Sequence, residues 1–142
     1  MRIAIWIGLP LLAVVGVVAL IGYFLPVHHE ATRSAEFRKP PAEVFALVSD
    51  LKNYQTWWAE GTVKVAVVES VAPSRFVTKI VDETAFGGTW TIEIAPVANG
   101  SRVTVTERGE IYNLIFRTLS RFVFGYTSTI DSFLAAARTK LN

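Results

Sequence analysis

From Ile3 to Leu25 the chain carries no charged side chain, and Leu, Ile, Val and Ala dominate the run. A helix needs about 20 apolar residues to cross a bilayer, so this stretch predicts a transmembrane span. Gly8, Pro10, Gly16 and Gly22 do not forbid it, because membrane helices tolerate both residue types. Trp6 and Tyr23 lie near the two ends, where amphipathic rings favour the interface. A cleaved signal peptide has an apolar core of about 7–15 residues and a small-x-small cleavage site. The run is longer than that, and Gly22-Tyr23-Phe24-Leu25-Pro26 offers no good site. The expected division is therefore an N-terminal anchor over 1–26 and one further domain over 27–142, in a single-pass protein of the cell membrane. Arg2 precedes the span; Arg33, Arg38 and Lys39 follow it, mixed with Glu30 and Glu36. Positive charge favours the cytoplasmic side; this balance leans that way and leaves either orientation open.

The length of 142 residues suits one domain beside the anchor. Mean hydropathy is +0.39, with the excess at the N-terminus. The absence of cysteine fits either compartment. A net charge of +2 is too mild to point to nucleic acid.

Beyond the span, Thr32–Arg38 reads as a weakly alternating strand. Pro40-Pro41 opens a helix, since proline is pre-organised for the first turn and Glu43 suits the positive end of the dipole. Val44, Phe45, Leu47 and Val48 form its apolar stripe. Ser49-Asp50 ends it and can cap a second short helix, Leu51–Trp58. The period then changes to two. Val63, Val65 and Val67 alternate with polar or small neighbours; Phe76, Thr78 and Ile80 do so after the Ala72-Pro73-Ser74 turn. Trp90, Ile92 and Ile94 follow Gly87-Gly88, read as a turn or bulge. Val103 and Val105 follow Asn99-Gly100, a hairpin signal because both residues accept positive φ. Four such strands in succession make an antiparallel meander. The tail reverts to helical spacing from Ile115 to Leu141, with Gly125 marking a kink or break.

This order predicts an α+β fold: a curled antiparallel sheet of about five strands gripping a long C-terminal helix, preceded by one transmembrane helix. A space between sheet and helix suits an apolar ligand.

Three stretches carry a family resemblance: Pro41-Ala-Glu-Val-Phe-Ala-Leu-Val-Ser-Asp50 with Tyr54 and Trp57-Trp58; Phe86-Gly-Gly-Thr-Trp-Thr91; and Thr106-Glu-Arg-Gly-Glu-Ile-Tyr-Asn113 running into Phe116-Arg117 and Phe122-Val-Phe-Gly125. Over about Ala31–Leu141 the chain resembles the START-like superfamily, also called SRPBCC or polyketide cyclase/dehydrase-like. Within it, the chain is similar to a narrower bacterial group, some of whose members have an N-terminal membrane anchor. The resemblance implies the helix-grip fold and a lipid- or polyketide-sized cavity. It implies no reaction, since the superfamily spans lipid carriers, receptors, cyclases, oxygenase subunits and stress proteins. Family members usually have two more strands before the strand at Thr62. Here only Ala59-Glu60-Gly61 intervenes, which predicts a shortened sheet with one wall of the cavity open, giving an open groove, a reduced cavity or a surface for a partner.

Strand parity places Glu107 inward with Val103 and Val105, and Asp82 inward with Phe76, Thr78 and Ile80. A carboxylate in an apolar space suits acid–base work; alternatively Glu107 pairs with an arginine, or a bulge near Gly109 turns it outward. Trp58, Thr78, Phe86, Trp90, Glu107, Tyr112, Phe116 and Phe124 are the candidate ligand-binding residues. Of Trp57 and Trp58, one is expected to be exposed or to face a partner. Glu110 and Arg117 read as a local pair, or as charges placed for the helix dipole. His28-His29 reads as interfacial and solvated, because a metal needs three or four suitably spaced ligands. No catalytic residue, metal site or cofactor motif is assigned, since the usual signatures are absent. The leading functional expectation is a membrane-anchored binding module for a hydrophobic small molecule or lipid. The alternatives are a protein-interaction module using the open sheet face, and a cyclase-like enzyme using Glu107, Asp82 and Tyr112.

Overall fold

A computed structural model describes residues 2–142. Helix α1 (Arg2–Phe24) contains Pro10 and is long and apolar enough to cross a membrane. Its apolar side chains face outward, and Gly22 is its one buried residue. Strand β1 (His28–Phe37) follows almost at once, starting four residues before the expected Thr32.

Helix α2 (Pro41–Val48) opens on proline as expected and buries Val44 and Val48. Asp50 supplies no side-chain cap; its carboxylate accepts instead from Asn53 Nδ2 at 2.6 Å. The second helix is accordingly a 3-10 turn over Leu51–Asn53 and one α turn, α3 (Tyr54–Trp57).

Strands β2 (Val65–Val71), β3 (Arg75–Ile80), β4 (Phe86–Val97) and β5 (Gly100–Ile111) form the meander. With β1 they make one antiparallel sheet in the order β1-β5-β4-β3-β2. Gly87 and Gly88 lie inside β4, opposite Glu110 and Gly109, and make no turn. Gly88 has φ 131°, and a Cβ there would lie 2.3 Å from the Arg108 carbonyl oxygen, so the close backbone approach excludes a side chain. The β4–β5 hairpin is one residue earlier than expected: Val97 pairs with Gly100, leaving Ala98-Asn99 as its tip.

The register separates two faces. On one, Val103, Val105 and Glu107 of β5 stand beside Ile94, Ile92 and Trp90 of β4 and beside Ala35, Arg33 and Ala31 of β1. The other is polar, with Thr32 bonded to Thr106 (3.2 Å) and Ser34 to Thr104 (2.8 Å). Alternation in β1 looks weak because its inner residues are small (Ala31, Ala35) or charged. Arg33 reaches Asp131 at 3.3 Å and also donates to the Thr127 hydroxyl.

The apolar tail divides at Gly125, whose φ is 76°. Its first part is α4 (Leu114–Leu119), capped by Asn113 and extended by a π turn over Ser120–Phe124. Its second part, α5 (Ser128–Leu141), buries Ile130, Phe133, Leu134 and Ala137 against the apolar sheet face. Phe133 has no exposed surface. Its ring meets those of Tyr54, Trp57, Trp58 and Trp90 at centroid distances of 5.1–5.9 Å. Neither tryptophan of the pair is exposed: Trp58 is buried, and Trp57 is half-buried against Tyr54 and Phe133. A five-stranded sheet gripping α5 is a helix-grip fold.

Helix α4 takes a different partner. It packs against the C-terminal turns of α1. Arg117 is 6% exposed, and its guanidinium donates to the carbonyls of Gly22 (2.9 Å), Leu25 (3.3 Å), Ile111 (2.9 Å) and Tyr112 (3.3 Å). A cation with its donors filled by carbonyls at a helix C-terminus satisfies orphan acceptors and complements the dipole. Thr118 donates to the Val18 carbonyl at 2.7 Å. Arg117 and Glu110 are therefore not paired: Glu110 lies beside Tyr112 and His28.

Candidate functional site

Between the sheet and its covering helices lies a cavity of about 330 Å³, lined mostly by apolar surface. Its floor is the inner sheet face: Thr78 and Ile80 of β3, Phe86, Trp90 and Ile92 of β4, and Glu107 and Ile111 of β5. Tyr54, Trp58 and Phe116 close it from the helices, and Trp58 stacks on Trp90 with centroids 5.7 Å apart. Glu60, Gly61 and Val63 form a rim on the short connection from α3 to β2, where the sheet ends.

One polar cluster interrupts this lining. Glu107 Oε1 lies 2.8 Å from His29 Nε2, and Trp90 Nε1–H donates to Glu107 Oε2. The His29 side chain is only 9% exposed. Its ring stacks on Tyr126, with centroids 4.4 Å apart and planes 11° from parallel. His29 Nδ1 is buried without a hydrogen-bond partner among the described residues. Opposite His29, Gly109 leaves room for the ring.

A wider groove of about 800 Å³ adjoins the cavity beyond Phe86 and Gly87. There Tyr112 donates to Glu110, and His28 Nε2 lies 3.1 Å from the same carboxylate. The Tyr112 hydroxyl, with help from His28 and Lys79, holds the Glu110 carboxyl below the usual carboxylate range. The same bond pushes the Tyr112 phenol up.

A helix gripped by an antiparallel sheet over a cavity recurs in solved structures. A START superfamily protein from Mycobacterium smegmatis matches with a TM-score of 0.63 at 13% identity, covering 80% of this chain and 97% of that one. The chain adopts the START-like fold. A conserved protein from Geobacillus kaustophilus has a TM-score of 0.64 at 12% identity, over 80% of this chain and 95% of that one. The di-domain ARO/CYC StfQ of the steffimycin biosynthetic pathway has a TM-score of 0.57 at 10% identity, over 81% of this chain and 51% of that one. No protein-family model and no curated protein matches the chain.

Of the residues singled out from sequence, the START-like cavity brings together Trp58, Thr78, Phe86, Trp90, Glu107 and Phe116. Tyr112 stands outside it, in the wider groove. Phe124 is 55% exposed on the π turn and makes no part of the cavity wall. Asp82 does not point inward. The strand ends at Ile80, Asp82 takes a φ of 60°, and its exposed carboxylate pairs with Lys64. Glu107 pairs with a histidine and a tryptophan, not an arginine, and β5 keeps its register past Gly109 without a bulge.

The residue that sequence reasoning missed is His29. His28 is solvated, but His29 turns into the domain. The signal was parity: His29 shares its phase with Ala31, Ala35 and Phe37, once β1 is known to begin at His28. Among the described residues, no group of three or more His, Cys, Asp or Glu is placed to hold a metal.

Chemically, the cluster can orient one polar group of an otherwise apolar molecule. Thr78, the hydroxyl on the floor, is two strands from Glu107. That puts their backbones about 9–10 Å apart at ordinary strand spacing, so the carboxylate is poorly placed to activate it.

Proposed function

We propose that this protein is a membrane-anchored binding module for a hydrophobic small molecule or lipid. The observation that carries the reading is the cavity itself: apolar walls around one half-buried His29–Glu107–Trp90 cluster. Ligand sites are commonly concave and apolar, with a few polar groups that fix orientation. Each 100 Å² of apolar ligand surface taken from water contributes about 2.5 kcal/mol. In this reading a polar group of the ligand would supply the partner that buried His29 Nδ1 lacks among the described residues.

The anchor reading over 1–26 is supported by Arg117. Its bonds to Gly22 and Leu25 make the end of α1 part of the domain's own packing. Removing residues 1–26 would take away two of the four carbonyls that hold the Arg117 guanidinium. A bilayer position suits an apolar ligand, whose reservoir is the membrane.

Enzymatic turnover has less support, because Glu107 is bonded through both oxygens and has no nucleophile beside it. A protein-interaction role is favoured by one observation: the edge strand β2 leaves Val67, Val68 and Val71 exposed. A strictly monomeric protein that binds no other chain would count against it.

Native mass spectrometry of the full chain in detergent, purified without added ligand and then incubated with membrane lipid extract, tests the binding reading. The expected result is a reproducible bound mass, lost in Thr78→Phe and in Ile80→Trp, each of which fills the cavity. An apo mass that never shifts overturns it.

A further inference from the structure

We infer that α4 and the π turn after it are inserted into the lipid bilayer alongside α1, so that the domain is partly embedded and does not merely hang from its anchor. The inference rests on the reading of α1 as a retained transmembrane helix and goes beyond it.

The first observation is exposure. Ile115 and Phe116 of α4 and Phe122, Val123 and Phe124 of the π turn present apolar side chains outward, with Phe122 65% and Val123 66% exposed. Three consecutive large apolar residues on a surface turn mark a contact with another apolar phase. No element of the fold covers them.

The second observation, independent of exposure, identifies that phase. The same segment is bolted to α1. Thr118 bonds the Val18 carbonyl, Arg117 bonds that of Gly22, and Gly22 packs so closely on α4 that a Cβ would lie 1.9 Å from the Leu114 carbonyl oxygen. Val18 is six residues from the end of α1, or about 9 Å along the axis. At its full length α1 only just exceeds the roughly 30 Å of hydrocarbon it must cross. Whatever packs beside Val18 therefore sits below the headgroups. Interfacial segments bury their apolar face by about 5–10 Å, which matches this depth. The polar atoms agree: Thr118 is turned to α1 and donates to it, and the Arg117 guanidinium is satisfied by the carbonyls of Gly22, Leu25, Ile111 and Tyr112. Exposed Arg121 lies 5.5 Å from the Phe122 ring, and its apolar stem lets the charged head turn away from the apolar face.

Phe116 belongs both to the exposed patch and to the cavity wall. The cavity thus meets the bilayer at α4, and an apolar ligand can enter past Phe116 without crossing water.

The chain has no cysteine, so each introduced cysteine is unique. The full chain is reconstituted in phosphatidylcholine–phosphatidylglycerol vesicles as Phe122→Cys and Val123→Cys, each carrying an environment-sensitive fluorophore. Val15→Cys in α1 reports the span, and Asn99→Cys at the β4–β5 tip reports water. The expected result is blue-shifted emission at 122 and 123, quenched by spin-labelled lipid and not by iodide. Quenching by iodide at 122 and 123, with lipid quenching at 15, overturns this inference and leaves the anchor standing. Shielding of 122 and 123 from both quenchers overturns it in favour of a protein contact. Iodide quenching at 15 as well overturns the anchor reading together with this one.

Discussion

Gly109 of β5 stands opposite His29 of β1, and the imidazole occupies the space a side chain would take. A Cβ at Gly109 would lie 2.2 Å from His29 Cε1. The cluster in the cavity thus depends on a residue that contributes no chemical group to it.

Gly109→Ala is expected to push the His29 ring off Glu107 and Tyr126. Overpacking of this kind costs about 1–3 kcal/mol. Chemical denaturation of the full chain in detergent measures the loss. An unchanged midpoint would mean that the ring has free room to move.

Glu107→Leu leaves Trp90 Nε1 and His29 Nε2 without their partner. An orphaned donor costs about 1–3 kcal/mol when fully buried, so these half-buried ones fall toward the lower end, whereas Glu107→Gln keeps an oxygen and a similar volume. The leucine variant should therefore be clearly less stable than the glutamine variant. Equal stability of the two would show that the hydrogen bonds contribute nothing.

Arg117→Met removes the fork that joins Gly22 and Leu25 to Ile111 and Tyr112. With several carbonyls left unsatisfied, the loss is roughly 3 kcal/mol or more. Hydrogen exchange should accelerate across Leu114–Phe124 and at the end of α1, while β4 and β5 stay protected. Arg117→Lys should not rescue it, since one ammonium cannot span the same acceptors. Gly22→Leu, which keeps α1 apolar, should reproduce the exchange pattern by wedging the helices apart.

Tyr54 supplies a pH dependence. Its hydroxyl donates to the Val48 carbonyl. Burial, and then the nearby Asp50 carboxylate, push its pKa above the ordinary 10.0. The folded state thus favours the neutral phenol. Its contribution is fully present below about pH 10 and is lost as pH rises from there through the folded value. The denaturation midpoint should fall between pH 9 and pH 11. Tyr54→Phe, less stable at pH 7 by about 1 kcal/mol, should show a shallower fall.

Much of the fold was legible because alternation of period two is a local signal. Phe76, Trp90, Val103 and Glu107 declared their face without any knowledge of their neighbours. The tail was legible only as an apolar helix. Ile115–Leu141 reads as one stripe, yet its two halves meet different partners, α5 the sheet and α4 the N-terminal helix α1. Periodicity reports that a face is apolar and is silent on what covers it. Gly125 marked the break but not the change of partner. His29 was hidden for a related reason. Beside a membrane span, His28-His29 looks solvated, and the inward row it belongs to is disguised by Arg33. Asp82 failed because parity holds only while a strand continues, and β3 stops at Ile80.

Only Leu25, Pro26 and Val27 separate α1 from β1. Fully extended they reach about 10 Å, and even this is not slack: the Leu25 carbonyl accepts from Arg117 and the Val27 carbonyl from the Ile111 amide. A domain leashed so tightly is no ferry. With α1 in a bilayer as proposed, it could not swing across an aqueous gap to a second membrane, and its reach would be confined to one membrane surface. A ligand held under the proposed function would then be delivered by lateral diffusion, and collected by something that comes to that surface.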